Sequence, residues 1–303
     1  MTNDFRPRSM RLALGAAGLS LLLVAACTPA ATFSPPPSVA PGSTTGPNTP
    51  PPPTSTPVAD GISHPTGAAD VVLRMESGGG FVPIEFLATG APSFTLYGDG
   101  TAVFRDPSVA PPAGGNVNRL APFQTIRLDE EGIQALLADA IGRGGLGIAA
   151  GPYIGQGADL PTTTFTINAD GGTKEVSVMA LLPEMHPQDV AIITALAGLA
   201  QRLDGFAAAV AGEHVYEPTS YRGILMATDQ AVGPVLDWPW PAIKPAEFVA
   251  GANEFLMVRT LSAADVSALG IPGIEGGLQG LTLKESDGKL SLFSLRPLLP
   301  DET

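Results

Sequence analysis

Short runs of alternating apolar and polar residues, bounded by glycine-rich turns, cover most of the chain after residue 66. Val71, Val72, Leu73 and Met75 mark a strand over residues 69–77, closed by Gly78-Gly79-Gly80. Segments 93–97 and 101–105 flank Gly98-Asp99-Gly100, where a glycine free to take positive φ permits a tight hairpin. The period then lengthens. Over 129–143, Ile133, Leu136, Leu137, Ala140 and Ile141 fall on one helical face. Asp129 suits the N-cap, Glu130 and Glu131 favour the positive helix end, and Gly142, Gly144 and Gly145 stop the helix. A second hairpin joins 163–168 to 173–179 through Asn168-Ala169-Asp170-Gly171-Gly172. Pro187 can open a second helix, in which Ile192, Leu196, Leu199 and Leu203 share a stripe.

Beyond residue 212 the pattern restarts. Segments 222–228 and 253–260 read as strands, and Ser262 caps a short helix to Leu269 with Asp265 in capping-box position. A hairpin of 279–285 and 289–296 turns through Ser286-Asp287-Gly288. The expected class is α+β, with antiparallel sheets built from hairpins and helices packed on one face. The expected units are 67–212 and a smaller 213–303. Leu128, Ile133, Ala135 and Leu136 have the spacing of Leu261, Val266, Ala268 and Leu269. Each set precedes a glycine-rich break and an Asp-Gly hairpin, so duplication is a testable expectation. The order hairpin, helix, hairpin, helix resembles uncharacterised secreted bacterial domains, a likeness that implies no activity.

Upstream, Arg6, Arg8 and Arg11 precede an uncharged apolar run from Leu12 to Ala26. At about fifteen residues it falls short of the roughly 20 needed to span a bilayer. A basic start, a short apolar stretch and small residues at its end make a secretory signal. Val24, Ala25, Ala26 and Cys27 resemble a bacterial lipobox. The resemblance implies cleavage before Cys27 and lipid on its sulfur, giving a membrane-anchored, extracytoplasmic lipoprotein. The alternatives are an ordinary signal peptide with a stray cysteine, or an uncleaved anchor. Residues 1–26 are then the leader. Residues 27–66, with Pro35-Pro36-Pro37 and Pro50-Pro51-Pro52-Pro53, read as a Pro/Thr/Ser-rich tether with almost nothing to bury. His64, near its end, is expected to be solvated.

Composition narrows the partners. Cys27 is the only cysteine, so the chain cannot form an internal disulfide and must fold by packing. The precursor carries 16 basic and 29 acidic side chains; removing 1–26 takes away three Arg and one Asp, leaving 13 against 28. That balance argues against nucleic acid and against adhesion to anionic headgroups.

Motif spacings with chemical meaning occur, and most fail on context. Gly142-x-Gly144-x-x-Gly147 matches a dinucleotide fingerprint, but it follows a helix where the fingerprint needs a strand. Ser286-x-x-Lys289 has acyl-enzyme spacing, yet it lies in a hairpin turn. Asn168 and Asp170 before Gly171 recur in calcium loops, but Thr166 and Ser177 stand where acids belong. His64, His186 and His214 are far apart, and His186 with Glu184, or His214 with Glu213 and Glu217, needs the fold to build a metal site. Neither cofactor nor metal is expected.

The candidate binding residues are Asp237, Trp238 and Trp240, in Asp237-Trp238-Pro239-Trp240-Pro241. Alternating prolines exclude a central strand. Rigid exposed indoles can stack on a glycan or on an envelope protein, whereas buried ones would wrap the edge of a core. Three readings follow. The first is a non-enzymatic binding or interaction protein of the cell envelope, lipid-anchored at Cys27. The second is an envelope hydrolase, which needs acids such as Glu76, Asp99 and Asp237 to converge. The third is a structural or accessory subunit, marked by a large exposed apolar patch.

Overall fold

The computed structural model describes residues 61–251 and 255–303. Cys27, the leader and Asn253, the expected start of a strand, lie outside the described residues. In chain order the elements begin with β1 (Val71–Gly79), a short helix α1 (Ile84–Ala88), β2 (Phe94–Tyr97), β3 (Thr101–Phe104), β4 (Asn118–Arg119) and β5 (Gln124–Arg127). Then come α2 (Glu130–Ile141), β6 (Pro161–Ala169), β7 (Gly172–Met179), α3 (Val190–Asp204) and β8 (His214–Val215). The last part holds β9 (Ser220–Thr228), β10 (Val235–Asp237), β11 (Val249–Ala250), β12 (Met257–Ser262), α4 (Ala263–Ser267), β13 (Leu278–Lys284) and β14 (Leu290–Pro297).

These strands make two sheets that are largely antiparallel, with few helices. The first runs β7-β6-β1-β2-β3-β5-β8, and the second β10-β13-β14-β9-β12-β11 with β4 joined to β13. Among the described strand pairs, β10 against β13 alone is parallel. Residue 212 marks a change of sheet that the chain bridges twice. β8 returns to β5 in the first sheet, while β4 reaches forward to β13 in the second. All described residues fall within one compact unit. None of the described helices is long and apolar enough to cross a membrane.

Turn and cap chemistry places the local elements where the sequence expects them. Ala169 opposes Gly172, with Asp170 (φ 51) and Gly171 (φ 73) between them, so the β6–β7 turn needs only two residues in the left-handed region. Asp129 caps α2 by accepting from the Gly132 amide at 2.9 Å. Ser262 and Asp265 close a capping box on α4. The second long helix starts at Val190, three residues beyond Pro187. Its N-cap, Asp189, makes no side-chain bond.

Strand alternation sorts the first sheet's residues into two cores. Phe94, Leu96, Ala102 and Phe104 join Leu73, Phe165 and Val176, together with Ile133 and Leu137 of α2 and Leu196, Leu199 and Leu203 of α3. Phe206 closes this cluster edge-on against Phe94 and Phe104. One residue out of phase, Tyr97 and Val103 form a smaller cluster with Phe123 and Leu299, near the C-terminus. The second sheet gathers Phe248, Leu261, Leu281, Leu283, Phe293 and Leu295. Each large side chain so buried contributes about 1.5–3 kcal/mol.

Three expectations are corrected. Residues 61–66 belong to the folded body and not to a tether. Gln134 on α2 accepts from the Ile62 amide at 2.8 Å and donates to its carbonyl at 2.9 Å. Ser63 and Asp170 exchange bonds across the β6–β7 turn. The His64 side chain is buried, not solvated, with Nδ1 2.7 Å from the Pro65 carbonyl and Nε2 3.2 Å from Glu130.

The third correction concerns duplication. In the first sheet β6, the leading strand of the hairpin after α2, lies against β1 with β7 outside it. In the second sheet β14, the trailing strand of the hairpin after α4, lies against β9 with β13 beyond it. The hairpins enter in opposite order. The shared spacing around Leu128 and Leu261 is therefore a recurrence of local helix and hairpin chemistry.

Candidate functional site

The tryptophan segment follows directly from the edge strand β10, which ends at Asp237. Trp240 is 3 % exposed, and its Nε1 donates to the Asp265 carbonyl of α4 at 2.7 Å. Trp238 is half-buried and donates to the carbonyls of Trp240 and Ile243. The indoles meet edge to face at 5.1 Å between centroids, and Trp240 packs on Phe293 at 5.6 Å. Both ring donors are thus spent inside the protein, and the pair wedges α4 against the second sheet. Asp237 alone of the three is exposed. The prolines give the segment the stiffness to hold that wedge, not an open stacking platform.

The acids proposed for hydrolysis are not brought together. Asp99 sits in the β2–β3 turn, 3.4 Å from Arg127. Glu76 lies at the other end of the β1–β2 ladder, whose register runs from Val71–Tyr97 to Met75–Phe94. Asp237 belongs to the second sheet. His186 is buried, and its Nε2 lies 2.9 Å and 3.0 Å from the carbonyls of Met179 and Ala180. Carbonyls only accept, so that nitrogen carries a proton and ties down the loop after β7. His214 is exposed on β8. Among the described residues no group of three His, Cys, Asp or Glu could hold a metal ion. The Gly142–147 stretch caps α2, with the Gly142 amide on the Ala138 carbonyl.

Two of the concavities border the first sheet. One, of about 690 Å³, lies where the chain enters the body and is lined by Ser63, His64, Asp70, Asn168 and Thr173. The other, of about 480 Å³, opens beside β1 and is lined by Arg74, Glu76, Thr162, Thr164, Arg296 and Glu302. Behind its charged wall the C-terminal residues are locked in place. Arg74 donates to Asp301 at 2.6 Å, and Tyr97 donates to the same oxygen at 2.7 Å. Arg296 grips both oxygens of Glu302 at 2.8 Å and 2.5 Å.

Burial by itself would raise both carboxyls, but these hydrogen bonds outweigh it and hold Asp301 and Glu302 below the usual carboxylate range. Burial and the Asp301 carboxylate together push the Tyr97 hydroxyl far up. Arg105, desolvated over the Phe123 ring at 3.7 Å, is drawn down to about 10. These groups hold the C-terminal segment or its apolar bed, while burial also pushes the Tyr216 and Tyr221 hydroxyls up to about 12, Tyr221 within the core of the second sheet. Sequence reasoning missed this cluster because its members are far apart in the chain; Arg74 and Asp301 are separated by 227 positions. Compared with known proteins, the chain matches no family model, no curated protein and no solved structure.

Proposed function

We propose that this chain is an extracytoplasmic lipoprotein, held to the bacterial membrane through lipid on Cys27, whose body is a non-enzymatic binding or interaction protein of the cell envelope. The observation that carries this reading is the sequence Val24-Ala25-Ala26-Cys27 at the end of a short apolar leader, followed by a proline-rich stretch. The lipid supplies attachment, because each buried methylene contributes about 0.8 kcal/mol and two or three chains anchor stably. The body is then free for recognition. Its buried ionic groups support that role: Arg74 is paired with Asp301 and Arg296 with Glu302, so these charges are engaged within the body. We also infer that α2 and α3 form one cover on the first sheet, leaving the sheet's loops as the surfaces open to a partner.

The mass of the N-terminal peptide of the mature protein tests the proposal. A diacylglyceryl group on Cys27 at the new N-terminus is expected. A bare Cys27, or a retained leader, overturns it.

A further inference from the structure

The geometry points to the end of the first sheet farthest from Gly61 as a docking surface for a protein whose own apolar patch is bordered by lysine or arginine. The inference rests on the anchored-interaction reading above and deepens it.

Three loops meet at that end, because β1, β6 and β7 finish or start there in register. Gly79 opposes Pro161, and Thr162 opposes Met179. The loops are bonded to one another: Phe81 to the Asp159 carbonyl at 3.2 Å, Ala180 to the Pro161 carbonyl at 2.8 Å, and Gln156 to the Met185 carbonyl at 3.2 Å. On this fixed frame Phe81 is 91 % exposed and Ile154 78 %, with Leu182 and Val82 beside them. Phe86 and Leu87, also exposed, continue the surface onto α1. Isolated apolar residues on a surface need no explanation, but an aromatic and aliphatic set on interbonded loops at one sheet end marks an interaction site. The loops are already ordered, so docking forfeits little backbone freedom.

Charge selects the occupant. Glu76, Asp159 and Glu184 are exposed on these elements, and residues 77–93, 151–163 and 180–189 contain neither Lys nor Arg. An anionic bilayer is repelled by such a border, and a second copy would bring acid against acid. A protein surface with a basic border is complementary. Chain path agrees. Gly61 enters beside the β6–β7 turn, where Ser63 bonds Asp170. The nine residues of β1 then carry the chain about 27 Å to the opposite end. Thus the apolar end lies opposite the point at which residue 61 joins the body.

The test uses the full chain in its own bacterium, with p-benzoylphenylalanine replacing Phe81, Ile154 or, at the opposite end, Thr173. Irradiation is expected to give one discrete protein adduct from positions 81 and 154 and none from 173. The partner's cross-linked peptide should hold aliphatic or aromatic residues next to Lys or Arg. Reversing the border with Asp159→Lys and Glu184→Lys should lower adduct yield about tenfold or more while thermal unfolding stays unchanged. Adducts to phospholipid, to a second copy, or equally from 173 overturn the inference, as does a yield indifferent to charge reversal. Lipidated Cys27 without an adduct removes this inference alone. An adduct from a chain with bare Cys27 removes the anchor and leaves the docking surface standing.

Discussion

Glu302→Gln is expected to destabilise the body by about 3 kcal/mol, because it leaves a largely buried cation without its counter-charge. The Arg296 side chain is 5 % exposed and that of Glu302 19 %. Among the described residues the Arg296 Nε has no hydrogen-bond partner, so the guanidinium depends on its two bonds to Glu302 and one to the Pro297 carbonyl. Removing one member of a buried pair costs about 3–5 kcal/mol, and the lower end applies because glutamine keeps one acceptor. For a body of this size that lowers Tm by about 6–12 °C, read by circular dichroism. Replacing both partners, Arg296→Met with Glu302→Leu, should recover most of the loss, since no charge is then left buried.

Acid titration supplies the sign. The folded state holds Glu302 and Asp301 below their unfolded values. Their contribution is therefore complete above those unfolded values, near pH 4, and is lost as pH falls through the folded ones. The acid loss should be shallower in Glu302→Gln. A single variant within about 2 °C of wild type, or a double variant worse than the single, would refute the argument.

Three further outcomes follow from the packing. Trp240→Ala should cost about 3–5 kcal/mol in urea unfolding, and wild-type emission should contain one component shielded from iodide, since Trp240 is buried and Trp238 half-buried. Asp129→Ala removes the cap on the Gly132 amide and should cost about 1 kcal/mol. Gly277→Ala should cost about 1–3 kcal/mol or prevent folding, because φ is +100 and a Cβ there would collide with the Leu295 carbonyl oxygen.

Local chemistry was legible wherever backbone geometry restricts residue choice. Asp-Gly at 170–171 and 287–288, Asp129 before α2 and the Ser262–Asp265 box each fix a turn or a helix start through their own atoms, so the sequence marks them directly. Which strands become neighbours was not legible. β1 pairs with β6 across α1, four intervening strands and α2, and β9 lies between β14 and β12 because of packing that no neighbouring residue encodes. The same limit hid the exposed apolar loops and the buried ionic cluster. Phe81 and Ile154 look like core residues by type, and Asp301 and Glu302 look like a polar tail; only the fold reverses those roles. Trp238 and Trp240 show the ambiguity directly, since rigid aromatics serve a wedge as well as a platform.

The path of β1 has a mechanical consequence. A pull transmitted from the chain preceding Gly61 would first detach the few bonds of Ile62 and Ser63, and would then load β1 along its length. That strand is bonded to β2 on one side and to β6 on the other. Tension would therefore shear two ladders at once instead of unzipping one bond at a time, which gives the body high resistance to being torn open from this end.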